Sequence, residues 1–153
     1  MMKTPILVAV AIALAGTTVV PAHAAQYLKP TVAERSYAAG VVTKGGRTVW
    51  LAGMGGTKDA QGKTITNFAD QTRQAFRNIE RTIKSAGGTL DDLVTMTVML
   101  RNQSDGDEFV KIRSEFFKHN KFPASMLITA KDFANSDLLV EIQSVAVIGD
   151  TLK

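Results

Sequence analysis

Residues 122–147, FPASMLITAKDFANSDLLVEIQSVAV, decide how this chain is read. Apolar runs at Met126–Ile128 and Leu138–Ile142 flank the polar residues Lys131, Asp132, Asn135, Ser136 and Asp137, the pattern of two strands joined by a polar connection. Glu141 breaks the pattern. It sits between Val140 and Ile142, where a half-buried strand usually carries Val or Thr, and burying a lone carboxylate costs several kcal/mol, order of magnitude, unless it is paired or protonated. Either its side of the strand is wet, as on the solvent face of an antiparallel sheet, or it lies in a site.

Working outward, periodicity predicts two helices. Over Asn67–Ala86, Asn67 is a good N-cap with Asp70 three residues on, Phe76, Ile79, Ile83 and Ala86 form one stripe, and Gly87-Gly88 ends the helix. Its other face, Arg73, Arg77, Glu80, Arg81 and Lys84, is mostly basic but carries no aromatics, which favours a solvated surface over a polyanion site. Over Asp105–Lys118, Phe109, Ile112 and Phe116 recur at helical spacing. Between the helices, Leu93–Arg101 is rich in Val, Thr and Met and reads as a strand.

Upstream, Gln26–Thr31 reads as a short strand weakened by Pro30. Tyr37–Lys44 and Arg47–Gly53 read as a hairpin turning at Gly45-Gly46. Gly53-Met54-Gly55-Gly56-Thr57 lacks the Lys of a phosphate-binding loop and reads as the exit from a strand. Strand, strand, strand, helix, strand, helix, strand, strand is an α+β order, with both helices able to pack on a single face of one sheet. In the last strand Leu138, Val140, Ile142, Ala146 and Ile148 would meet the helices. Leu139, Glu141, Gln143, Val145 and Val147 would form the other face, mixed as in a subunit interface that contains a pocket.

The 153 residues, 45% hydrophobic and 21% charged, suit one globular domain. Lys3 followed by the apolar or small run Pro5–Val20 and by Ala22-His23-Ala24 has the order of an export leader, cleaved after Ala24. The run is shorter than the roughly 20 residues of a spanning helix, which argues against a membrane anchor. The expectation is a leader at 1–24, a domain at 25–153, and a periplasmic or secreted product. Losing the leader lowers the formal charge from +4 to +3, which calls for no nucleic-acid partner. There is no cysteine, and His119 is the single histidine beyond residue 24, so a histidine-based metal cluster or a serine–histidine triad lacks its parts. No cofactor is expected.

From about Ser36 to Val147 the chain resembles the Rid family of YjgF-like enamine/imine deaminases, also known as L-PSP endoribonucleases. The resemblance rests on 70-DQTRQAFRNI-79 and 85-SAGGTLDDLV-94, together with Tyr37, Gly53, Phe116-Phe117, Pro123-Ala124 and 140-VEI-142. It implies a chorismate-mutase-like fold, one mixed sheet with two helices on one face, assembled as a homotrimer with small-molecule pockets between subunits. It also implies that Glu141 positions or activates water and that Tyr37 lines the pocket, with Gly53 nearby. Deaminating members carry a Pro-Ala-Arg-Ser motif whose arginine holds the substrate carboxylate through its planar fork. Here the matching residues are Pro123-Ala124-Ser125-Met126, so Ser125 stands in the arginine position. Ala52 replaces an expected serine, and an expected asparagine falls near Ser104. Ser125 with backbone N–H groups could hold a neutral or small anionic group, and Arg47 or Arg101 of an adjoining subunit could supply the missing guanidinium. The functions in view are an exported hydrolase of imines or enamines with an altered substrate, a non-catalytic ligand-binding trimer and, last, a ribonuclease.

Overall fold

The computed structural model describes residues 25–30, 33–117 and 121–151. The leader expected at 1–24 and His119 lie outside them. Among the described residues six strands and two α-helices follow in order: β1 Gln26–Leu28, β2 Gly40–Val42, β3 Arg47–Met54, α1 Phe68–Ser85, β4 Leu93–Leu100, α2 Gly106–Phe116, β5 Ala124–Thr129 and β6 Val140–Ile148. Strands β3-β6-β4-β5 form one sheet, with β4 and β5 parallel and the other pairs antiparallel. Strands β1 and β2 pair separately. This is the chorismate-mutase-like α+β sandwich, a mixed sheet with both helices on one face.

Helix α1 starts and stops where its sequence says. The Asn67 side chain accepts from the Asp70 N–H at 2.9 Å, satisfying one of the free donors of the first turn. At the other end Gly87 adopts a φ of 85° so that the Gly88 N–H can turn back to the Ile83 carbonyl at 3.0 Å. Between the caps Phe76, Ile79 and Ile83 are fully buried. The Phe76 ring stacks 4.7 Å from that of Phe116 and meets Phe117 edge-on at 5.9 Å, tying α1 to the end of α2. Each such buried side chain contributes roughly 1.5–3 kcal/mol. On β6, Val140, Ile142 and Ala146 are completely buried beneath the helices, matching the alternation read from sequence.

The outer face of α1 is solvated and internally paired. Arg73 binds both carboxylate oxygens of Glu115 on α2, which holds that carboxyl below its ordinary range, and Lys84 pairs with Glu80.

The hairpin expected across Gly45-Gly46 does not form. Both glycines do take positive φ, but β2 pairs with β1, whereas β3 pairs with β6. The turn is held by the distant C-terminal segment. The Asp150 carboxylate accepts from the Lys44 N–H, and the Thr151 N–H donates to the Lys44 carbonyl at 2.9 Å. A local turn signal thus marks a change of direction between two layers instead of a pair of neighbouring strands. Likewise β5 and β6, adjacent in sequence, are separated in the sheet by β4.

Candidate active site

Glu141 lies on β6 opposite Met99 of β4. Its neighbours Val140 and Ile142 point into the core, so strand alternation turns Glu141 to the face away from the helices. Beside it the β3–β6 ladder slips. Leu51 faces Ser144 and Met54 faces Ile142, so three steps on β3 cover two on β6, the geometry of a β-bulge. The bulge brings the backbone of Gly53 onto the carboxylate. A Cβ at Gly53 would stand 2.2 Å from Glu141 Oε1, so a larger residue there would displace the carboxylate. The Glu141 carboxylate is half-buried and has no hydrogen bond or ion pair to any described residue. Gln143 lies two residues on along the same face, and its amide donates to the Leu51 carbonyl at 3.3 Å. Ala52, inside the bulge, is exposed.

The loop into β6 is fixed from the other side of the sheet. Gln71 of α1, 1% exposed, donates to the carbonyls of Ile65 and Asp137 and accepts from the Leu139 N–H. Arg101 adds bonds to the Leu138 and Ser136 carbonyls at 2.7 and 3.0 Å.

Tyr37 occupies a different place. With Tyr27, Leu28, Lys29, Pro30, Ala38 and Phe122 it lines a largely apolar cleft of about 320 Å³. The Tyr27 hydroxyl at its rim donates to the Asp91 carbonyl, and burial with nearby Asp91, Asp92 and Asp150 pushes its pKa up to about 12. Ala38 bridges to Ala124, in the sheet row of Thr95 and Val145. Glu141 is four residues along β6 from Val145, roughly 13 Å at the rise of a strand. One protomer therefore keeps Tyr37 and Glu141 apart.

Ser125 pairs with Met96, a core residue, so its side chain faces the helices, on the opposite side of the sheet from Glu141. Its hydroxyl accepts from Arg113 Nη1 at 2.7 Å. Arg113 of α2 is 3% exposed. Its Nη2 donates to the Arg35 carbonyl, its Cζ lies 5.3 Å from the Phe109 ring centre, and its Nε has no partner among the described residues. Burial, then the nearby Arg35, push its pKa down to about 10, with Tyr37 opposing, so the group is still a cation at neutral pH. Among the described residues no three histidine, cysteine or acidic side chains converge in a way that could hold a metal.

Comparison with known proteins places this arrangement. The sequence profile of the family described as Endoribonuclease L-PSP matches residues 28–148. The chain belongs to that family, the Rid family. A RutC family protein of Pyrococcus horikoshii is 29% identical over 104 residues, 67% of this chain and 81% of the relative. A 2-iminobutanoate/2-iminopropanoate deaminase of Dermatophagoides farinae is likewise 29% identical over 104 residues, 67% of this chain and 80% of the relative. Among solved structures, a Rid-family protein of unknown function from Yersinia pestis superposes with a TM-score of 0.72 at 21% identity, covering 80% of this chain and 98% of that one, which speaks to the fold alone.

In this Rid-family chain Arg101 and Arg47, the two arginines considered from sequence as suppliers of a guanidinium, are engaged within the protomer. Arg101 is spent on the Ser136 and Leu138 carbonyls, and Arg47 donates to the Ala86 carbonyl. Ser104 is exposed on a groove with Arg35, Gln103, Gly106, Asp107 and Leu127. The residue that sequence reading passed over is Arg113. It had left a signal, because position 113 is four past Phe109 and three before Phe116, a cation on the apolar stripe of α2.

Proposed function

We propose that this Rid-family protein hydrolyses imines or enamines that lack the carboxylate of α-imino acids, in clefts that two copies of the chain complete together within a homotrimer. The observation that carries the reading is Glu141, a half-buried carboxylate fixed against a bulge and left without a partner among the described residues. A carboxylate so placed has the chemistry of a general base toward a water beside it.

In the reaction, the substrate enters as its protonated iminium. Glu141 takes a proton from water as the oxygen bonds to the iminium carbon, and the C=N electron pair moves to nitrogen to give a neutral carbinolamine. Glu141 then gives that proton to the amine, the hydroxyl proton passes to solvent water as the C–N bond breaks, and the carbonyl compound and ammonia leave. Tyr37 and the apolar cleft hold the organic part of the substrate. The distance between Tyr37 and Glu141 within one protomer supports completion of the site by a neighbour, as does the exposure of Trp50, Met126 and Ile128 on the sheet face that carries Glu141. Ser125 is turned inward, and among the described residues lining the cleft the one cation is the Lys29 ammonium, a point charge without the two-pronged fit of a guanidinium to a carboxylate, which favours substrates without one. The leader-like residues 1–24 favour action in the periplasm or outside the cell.

The test is hydrolysis of imines generated in situ, carboxylate-bearing ones by an amino-acid oxidase and neutral ones by an amine oxidase. Faster ammonia release with neutral imines, cut by on the order of 10²-fold or more in Glu141→Gln, is expected. No acceleration with either class, or a Glu141→Gln variant as fast as the parent, would falsify the proposal. The second reading, a ligand-binding trimer without turnover, is favoured by Ala52, which lacks the hydroxyl found there in the family. A ligand that raises the unfolding temperature yet is recovered unchanged would select it.

A further inference from the structure

We infer that Arg113 is a positioning residue. From α2 its guanidinium fastens the strap that carries Tyr37 to the start of β5, so that Tyr37 is held in the cleft by a buried cation with no acidic partner among the described residues. The inference deepens the proposed function and rests on Tyr37 lining its site.

The strap is short and held at both ends. Upstream of Tyr37, a single 3-10 turn at Ala33–Arg35 ends on the Arg35 carbonyl, which accepts from Arg113 Nη2. Downstream, the Ala38 N–H donates to the Pro123 carbonyl at 3.2 Å and the Ala39 N–H to the Leu28 carbonyl at 3.0 Å. Between the anchors Ser36 takes a φ of 53°, the one non-glycine residue at positive φ among the described residues. L-residues avoid that conformation, so Ser36 stays there only while its neighbours are tied down. The other upstream tie, Arg35 with Asp107, is largely solvent-exposed and screened by salt. Arg113 is sealed from solvent and is the stronger fastening.

The charge at Arg113 is met by dipoles. The Ser125 hydroxyl, the Arg35 carbonyl and the face of Phe109 all present negative character, and Arg113 sits in the last turn of α2, where the helix dipole favours a cation. Two acceptors lie along two arms of one rigid planar group. Lysine, a point charge on a flexible stem, cannot reproduce that fork. Ser125, seen from sequence as the lost ligand anchor, thereby acquires a job. Its small hydroxyl leaves room on the helix side of the sheet for a guanidinium arriving from α2, and it accepts one of that guanidinium's bonds.

The test uses the full chain labelled with 3-fluorotyrosine. Tyr27 and Tyr37 are its two tyrosines, and Tyr27→Phe assigns their resonances. In Arg113→Met and Arg113→Lys the Tyr37 resonance is expected to move and broaden while that of Tyr27 stays, with the Ala38 amide exchanging faster in both. Ser125→Ala, which removes one of the two acceptors, is expected to give the same change to a smaller degree. With an imine that the parent hydrolyses, kcat/KM is expected to fall on the order of 10²-fold in Arg113→Met, and Arg113→Lys is not expected to restore it. An unmoved Tyr37 resonance in the folded lysine variant overturns the inference, as does full activity in that variant. The spectroscopic readout stands if the parent proves inactive, so failure of the proposed reaction and failure of the strap are separable. Should Arg113→Met fail to fold, the lysine and Ser125→Ala variants decide.

Discussion

The two faces of the four-stranded sheet obey different rules. Against the helices, Phe76, Ile79, Met96, Val98 and Ile142 are buried within a single chain. On the other face Trp50 is 77% exposed, Met126 55% and Ile128 41%, interleaved with Glu141 and Gln143. The first face is finished by the chain's own helices. The second places large apolar groups beside a carboxylate that has no partner among the described residues, a mixture that one protomer neither buries nor fully hydrates. The difference teaches that the dry face holds the fold, whereas the unfinished face is where the proposed partner contact and chemistry would fall.

That contrast can be broken from either side. Phe76→Ala, which empties a site bounded by three other phenylalanine rings, is expected to cost about 3–5 kcal/mol in denaturant unfolding. A cost below about 1 kcal/mol would mean that the helix face is not the stabilising one. If the proposed trimer buries Trp50, Trp50→Glu is expected to leave the fold intact by circular dichroism and to shift the sedimenting mass to that of one protomer, by placing a desolvated charge in the proposed subunit contact. A persistent trimer would remove Trp50 from that contact. Gly53→Ala touches neither face's packing, yet its methyl displaces the Glu141 carboxylate. Loss of imine hydrolysis with an unchanged unfolding midpoint is expected, and retained hydrolysis would separate Glu141 from the reaction.

The smallest effect concerns Tyr27. Its folded-state pKa is raised from 10.0 to about 12, so the folded chain keeps a proton that the unfolded chain has released. The stabilisation is fully present below pH 10 and is lost as pH rises toward 12. Urea midpoints falling across that window in the parent and flat in Tyr27→Phe would confirm the sign, and equal slopes would refute it.

Much of this was written locally. Both helices, the strands at 93–100 and 140–148, and the outward parity of Glu141 follow from periodicities of 3.6 and 2, which depend on residues next to one another in the chain. The Gly45-Gly46 turn was legible as a turn and misleading as a hairpin, because Asp150 and Thr151, more than a hundred residues away, decide what lies beside it. The role of Ser125 was obscured for a similar reason. A short strand beginning just after Pro123 does not announce which parity faces the helices, and that choice separates a residue in a ligand site from one beneath the sheet.

Sequence alone determined the family, the element order, the buried stripe of α1 and the suspicion attached to Glu141, since each depends on residue type and spacing along the chain. Tertiary structure alone decided that a bulge at Gly53 seats the carboxylate, that Tyr37 lies in a separate cleft and that Arg113 reaches Ser125 from another element. Those facts depend on strand order and on which side chains meet through space, and contact between residues far apart in the chain leaves no periodic trace.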